Sequence, residues 1–287
     1  MQPQAAALKA LLDQPGLQAM PGCGDGLGAH LIEEAGFKTG FVSGSSISAM
    51  RLAMPDMDMV SFAEMADAVE TCIAAAPNVL WLADGDTGHG NALAVQKTIR
   101  AYARRGAAAV LIEDKVWPRP LGRNGAKLVV DRDAAILRCR AAAEACHDEG
   151  ILLLARTDAH TSRGFEEALA RVKAFTAEGA DILFLDSPQS EDEMRAGIAA
   201  CEGKPALAVT SPAGKHFMPG DAELARIGIK LVVYPQDILA ASVYAVRAAL
   251  AGLKSGAKPP MASPAELATA IRSAHYLERD GRWPDPK

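Results

Sequence analysis

No run of 18 apolar residues occurs in the 287-residue chain, and no charged-then-apolar leader opens it. Nothing therefore reads as a membrane span or a secretory signal. The five cysteines (Cys23, Cys72, Cys139, Cys146, Cys201) are odd in number, scattered, and never form a CxxC pair. That argues against a disulfide scaffold or a thiolate zinc site and fits reduced thiols in a cytoplasmic protein, most of them small core residues. The glycine-rich stretch GDTGHGN (85–91) lacks the GxGxxG spacing of a dinucleotide loop, and neither a Walker loop nor a GxSxG elbow is present. A net charge of −5 is too mild to point to nucleic acid or a membrane surface.

What is present is alternation. Short apolar runs at 17–22, 39–45, 79–85, 108–114, 151–157, 181–187, 206–210 and 230–235 are each followed by helix-like sequence. Three of the intervening stretches, NALAVQKTIRAYARRG, RDAAILRCRAAAEACHDEG and FEEALARVKAFTAEG, end in the glycine expected just past a helix C-terminus. Near-continuous apolar strands with helical crossovers predict a parallel sheet buried on both faces. Eight such units predict a closed (β/α)8 barrel over residues 1–255, with a doubly wound open sheet as the alternative. The sequence KPPMASPAELATAIRSAHYLERDGRWPDPK then reads as a linker, one more helix and a tail, residues 256–287.

In such a barrel, catalytic groups gather at the C-terminal strand ends. Polar residues fall there: Ser43 and Ser45, Asp84 and Asp86, Glu113 and Asp114, Arg156 and Asp158, Asp186, Thr210 and Ser211, and Gln236. Asp84 and Asp86 stand two apart, so on a strand they share a face, where like charges repel unless a cation sits between them. An oxygen-rich set without Cys/His ligand spacing favours Mg²⁺ or Mn²⁺ over zinc. Simpler readings exist for each residue. Either aspartate could cap the next helix. Glu113 could pair with a neighbouring arginine, Arg156 could be a structural partner of one of these acids, and Asp186 carries the weaker signal. His89 and His216 lie near the mouth but are not read as ligands. The other four histidines read as core or surface residues.

The order of EEAGF…FVSGSS, MPDMD, ADGDTGHGNA, GAAAVLIED, LLARTDA and GADILFLD, over residues 17 to 250, resembles the isocitrate lyase/phosphoenolpyruvate mutase superfamily. The resemblance implies a Mg²⁺-dependent barrel, a homotetramer with its last helix swapped between subunits, acting on a small 2-oxo or 2-hydroxy acid. By the same resemblance Ser43, Gly44 and Ser45 hold the substrate carboxylate, and Asp84, Asp86 and Glu113 surround the metal. Asp56 is then an acid near it, and Arg156 contacts the substrate oxygens.

The loop EDKVWPRPLGRNGAK (113–127) narrows the activity. Isocitrate-type lyases of the superfamily carry a cysteine acid there, where this chain has Leu121. The mutases need a Lys and an Asn, which Arg119 and Leu121 match badly. The loop is most similar to the oxaloacetate decarboxylase branch, although that branch carries a histidine where this chain has Gln236. The superfamily usually has Ala between the two strand-3 aspartates, whereas Gly85 stands here. The expectation is decarboxylation of oxaloacetate, with Arg156, Asp56 and Arg123 as catalytic candidates and Thr210 and Gln236 as further substrate contacts. Arg123, His216 and water are the candidate proton donors. The alternatives are a C–C lyase of a substituted malate, of the methylisocitrate or dimethylmalate lyase kind, and a P–C bond enzyme of the mutase type.

Overall fold

The computed structural model describes residues 1–119, 127–210 and 216–283. Eight parallel strands form the core: β1 (Gln18–Cys23), β2 (Thr39–Val42), β3 (Leu80–Asp84), β4 (Ala109–Glu113), β5 (Leu152–Thr157), β6 (Ile182–Leu185), β7 (Leu207–Val209) and β8 (Leu231–Tyr234). Strands β1 to β6 pair in sequence order, β7 pairs with β8, and β8 pairs with β1. A single bridge, Leu183 to Ala206, brings β6 against β7 and closes the circle, with Leu183 N–H donating to the Pro205 carbonyl at 3.0 Å. The architecture is the (β/α)8 barrel, not the open sheet.

The helices are α1 (Pro3–Leu12), α2 (Gly26–Glu34), α3 (Gly44–Leu52), α4 (Phe62–Ala75), α5 (Ala92–Ala103), α6 (Arg132–Glu149), α7 (His160–Arg163), α8 (Phe165–Ala177), α9 (Glu191–Ala200), α10 (Asp221–Ile227), α11 (Asp237–Ser255), α12 (Pro264–Ala270) and α13 (Ser273–Asp280). Their ends follow local chemistry. Asp25, Ser43, Asn91 and Ser190 accept a backbone N–H at the first turns of α2, α3, α5 and α9. Ser61 and Glu64 form a capping box on α4. Gly150 ends α6 in the left-handed region.

Strand residues are buried on both faces, and Trp81, Leu82, Leu153, Leu154 and Ile182 are among the largest fully enclosed side chains. Helix α1, ahead of the first expected strand, lies at the N-terminal ends of the strands. Ala5 and Leu8 are fully buried there, and Gln2 N–H donates to the Gly150 carbonyl.

The C-terminal segment differs from expectation in its number of helices. The expected single helix is two, broken at Arg272, whose φ is +56°. The Arg272 guanidinium reaches His30, Glu33 and the Ala75 carbonyl, so the segment packs on α2 of its own chain. Helix α11, the eighth barrel helix, has no buried residue, with Tyr244, Leu250 and Leu253 largely exposed. Its mean hydropathy of 1.3 makes it long and apolar enough to cross a membrane by length and composition.

Candidate active site

The C-terminal strand ends enclose a cavity of about 340 Å³, the size of a small-ligand pocket. Of the residues nominated from sequence, Ser43, Ser45, Asp56, Asp84, Arg156, Thr210 and Gln236 line it. Gly44, Asp86 and Glu113 adjoin Asp84 from behind the wall. Gly44 N–H donates to Asp84 Oδ2 at 3.1 Å, and Asp86 N–H donates to Asp84 Oδ1 at 3.2 Å. Arg123 lies outside the described residues. Asp186 and His216 also line the cavity.

Asp84 ends β3, and the chain then turns sharply, with Asp86 in the left-handed region at φ +49°. The two carboxylates are therefore neighbours across a turn rather than along a strand. Gly85 has a reason to be glycine: a Cβ there would stand 2.7 Å from the Leu111 carbonyl oxygen. Burial, and then the negative charges of Glu113 and Asp56, push the Asp84 carboxyl up to about 6 despite its two N–H donors. Burial, followed by repulsion from Asp84, Glu113 and Asp56, lifts Asp86 well above the usual carboxylate range.

Carboxylates Asp56, Asp58 and Asp86 place oxygens within 4.8 Å of one another. Buried Glu113 Oε1 finds no hydrogen-bond partner among the described residues. Crowded, desolvated oxygens with an orphaned acceptor fit a hard divalent cation, which would satisfy the lone pairs and reverse the upward shifts. The grouping differs from the expected trio in bringing Asp58 close, a residue whose only sequence signal was its place in MPDMD. Arg119 holds this edge. Its Nη1 donates to Asp56 Oδ2 at 3.1 Å, its Nη2 lies 3.3 Å from Asp58 Oδ1, and its backbone N–H donates to Asp58. On the opposite side Lys115 pairs with Glu113 at 2.9 Å.

The second wall is a closed ring of charge. Arg156 Nη2 lies 2.7 Å from Asp158 Oδ1 and 3.1 Å from Asp186 Oδ1. Lys127 Nζ lies 3.0 Å from the same Asp158 oxygen and 2.5 Å from Asp186 Oδ2. Although burial opposes it, the charges of Arg156, Lys115 and Lys127 hold Asp158 well below the usual carboxylate range. Sequence reasoning passed over Lys127, which sits at the end of the strand-4 loop with no motif around it. Asp114, next to Glu113, faces away from the cavity. It accepts from Thr157 Oγ1, from Asp158 N–H and from buried Arg171, which makes it a framework residue.

Ser43 caps α3, and its Oγ lies 3.0 Å from Ser45 Oγ. The helix therefore starts at the cavity wall with its positive end inward, an arrangement suited to a carboxylate.

Comparison with known proteins agrees with this geometry. The family profile described as phosphoenolpyruvate phosphomutase matches residues 8–254. Oxaloacetate decarboxylase of Paraburkholderia xenovorans is 39% identical over 193 residues, 67% of this chain and 64% of that protein. The crystal structure of a 2,3-dimethylmalate lyase superposes with a TM-score of 0.91 at 30% identity, covering 98% of this chain and 96% of the other. Phosphonopyruvate hydrolase in complex with oxalate and Mg²⁺ superposes with a TM-score of 0.85 at 26% identity, covering 98% and 99%. A barrel whose strand ends crowd carboxylates around a small cavity, matched along nearly its whole barrel, belongs to the phosphoenolpyruvate phosphomutase family, within the isocitrate lyase/phosphoenolpyruvate mutase superfamily.

Proposed function

We propose that the protein is a Mg²⁺-dependent lyase that decarboxylates oxaloacetate to pyruvate and CO₂. The observation that carries this reading is that the cavity holds cation-clamped carboxylates and no thiol. All five cysteines are buried and none lines the cavity, so the cysteine acid expected of isocitrate-type lyases has no counterpart. Cleavage of a substituted malate also needs a base for the hydroxyl proton. Asp186 has Oδ1 on Arg156 and Oδ2 shared by Lys127 and Ser187, and Asp56 is held by Arg119, so neither cavity carboxylate is free to act as that base. A 2-oxo acid that loses CO₂ has no hydroxyl proton to remove.

Asp84, Asp86 and Glu113, with Asp56 and Asp58 beside them, would hold the metal; Mn²⁺ suits the same oxygen donors. The chemistry Mg²⁺ supplies when bound is Lewis acidity toward the oxo oxygen on which enolate charge develops. Ser43, Ser45 and the first turn of α3 bind the substrate carboxylate. Arg156, oriented by Asp158 and Asp186 and lining the cavity, contacts the substrate oxygens, with Thr210 and Gln236 on the same wall. Preorganised donors of this kind are worth roughly 3–4 kcal/mol each at the transition state. The bare apolar face of α11 supports a homotetramer in which this helix covers a neighbouring barrel, since monomers rarely leave such a surface exposed.

Pyruvate formation from oxaloacetate with Mg²⁺, against an EDTA control, a metal-only blank and Asp86→Ala, tests the reading. Turnover that needs both metal and Asp86 supports it. An enzyme that adds nothing to the metal blank refutes it. Pyruvate or glyoxylate released from a substituted malate instead would select the C–C lyase alternative.

A further inference from the structure

Loss of CO₂ leaves the electron pair of the broken C–C bond in an enolate, whose carbon must take up a proton before pyruvate forms. The acidic side of the cavity is already committed: Asp56 is ion-paired to Arg119, Asp186 to Arg156 and Lys127, and Asp84 is assigned to the metal as a carboxylate. An arginine does not release its proton in proteins. Among the described residues on the wall, the remaining proton carriers are Lys127, His216, the hydroxyls of Ser43, Ser45, Thr161, Ser187 and Thr210, and side-chain amides.

Lys127 is set apart by how it is held. An ammonium has three N–H bonds. One donates to Asp186 Oδ2, Asp158 Oδ1 lies 3.0 Å away as a second anion, and these carboxylates also hold Arg156. Its backbone is fixed as well, with N–H donating to Thr161 Oγ1 at 3.1 Å. The amine thus stands one carboxylate away from the arginine assigned to the substrate. The side chain is 34% exposed, so water can return a proton to it after each turnover.

We infer that the Lys127 ammonium is the acid that protonates the enolate carbon, an inference that rests on the decarboxylase reading above. In the step an Nζ–H bond breaks and leaves its electron pair on nitrogen. The enolate π electrons form the new C–H bond, the oxo group is restored, and the neutral amine takes a proton from water. Asp158 and Asp186 are positioning residues. They aim the ammonium and do not take part in the transfer.

Read backwards, the same step exchanges the methyl protons of pyruvate, which tests the donor without CO₂ loss. Wild type, Lys127→Met and Lys127→Arg are each incubated with Mg²⁺ and pyruvate in D₂O and followed by NMR. CO₂ release from oxaloacetate is measured in parallel, and thermal melts check folding. Lys127→Met is expected to lose exchange by about 100-fold or more, while CO₂ release falls by less than about 10-fold and enolpyruvate escapes to ketonise in solution. Lys127→Arg keeps the charge and both ion pairs but has no proton to give, so it too must lose exchange. Exchange at the wild-type rate in Lys127→Met, or its recovery in Lys127→Arg, overturns the inference. Lysine-dependent exchange in a wild type that leaves oxaloacetate intact would keep the donor and sink the decarboxylase reading. A wild type that does neither overturns both.

Discussion

Asp84 allows the metal site to be tested without any substrate. Its carboxyl is lifted from an ordinary 3.8 to about 6, by burial first and then by Glu113 and Asp56. At 1.36 kcal/mol per pH unit, this corresponds to about 3 kcal/mol. For an acid whose folded value is raised, the contribution to stability is complete below the unfolded value and is lost as pH rises through the folded one. Metal-free protein should therefore weaken between pH 5 and pH 7.5, where about half of the 3 kcal/mol is lost, and Asp86 acts in the same direction. Carboxylates held low by arginine, such as Glu167 at about 2, act oppositely. Their window closes near the unfolded value, below pH 5, so it does not overlap.

At roughly 2–4 °C per kcal/mol for a chain of this size, Asp84 alone should lower the melting temperature by about 3–6 °C over that range. Saturating Mg²⁺, bound by the ionised carboxylates, should remove the part of the fall owed to Asp84 and Asp86 and release protons on binding, leaving the part from buried Asp114, which is also pushed up to about 6. Asp84→Asn isolates the effect. It removes the penalty but leaves one of the two N–H donors, from Gly44 or Asp86, without its acceptor, at about 1 kcal/mol. The metal-free variant should thus be more stable at pH 7.5 by about 2 kcal/mol and should lose most of its Mg²⁺ response. Melts from pH 5 to 7.5 with EDTA or Mg²⁺ measure this. A melting temperature that is flat or rising in EDTA, or an Asn variant less stable than wild type at pH 7.5, would refute the assignment of Asp84 as a destabilised, cation-requiring acid.

Three further outcomes follow from the packing. Arg171→Met removes the buried guanidinium 3.1 Å from Asp114 and should cost about 3–5 kcal/mol by urea unfolding, because the carboxylate is left unpaired. Gly40→Ala would place a Cβ 2.4 Å from the Trp81 ring; overpacking of about 1–3 kcal/mol should appear as a lower denaturation midpoint. Val246→Glu with Leu250→Glu, both on exposed positions of α11, should shift sedimentation toward the monomer if that helix covers a neighbouring barrel. An unchanged sedimentation coefficient would remove α11 from the interface.

The barrel was legible because all eight strands are buried on both faces, and so appear as apolar runs punctuated by glycine. The carboxylates were legible because they fall where those runs end. What escaped depends on contacts between distant parts of the chain. Helix α1 is a short, alanine-rich stretch whose burial is set by the strand ends it lies against. The break at Arg272 is tied to His30 and Glu33, some 240 residues earlier in sequence. Lys127 has no neighbours in sequence that mark it. Its meaning arises only because strands β5 and β6 bring Asp158 and Asp186 together beneath it, 31 and 59 residues further along. At the end of β6, Asp186 stands where a barrel enzyme could place a general base. With Arg156 on one oxygen and Lys127 on the other, it is instead an anion that positions two cations. The same residue at the same place in the barrel therefore favours a reaction that needs no base, and that distinction lies in the ion pairs rather than in any motif.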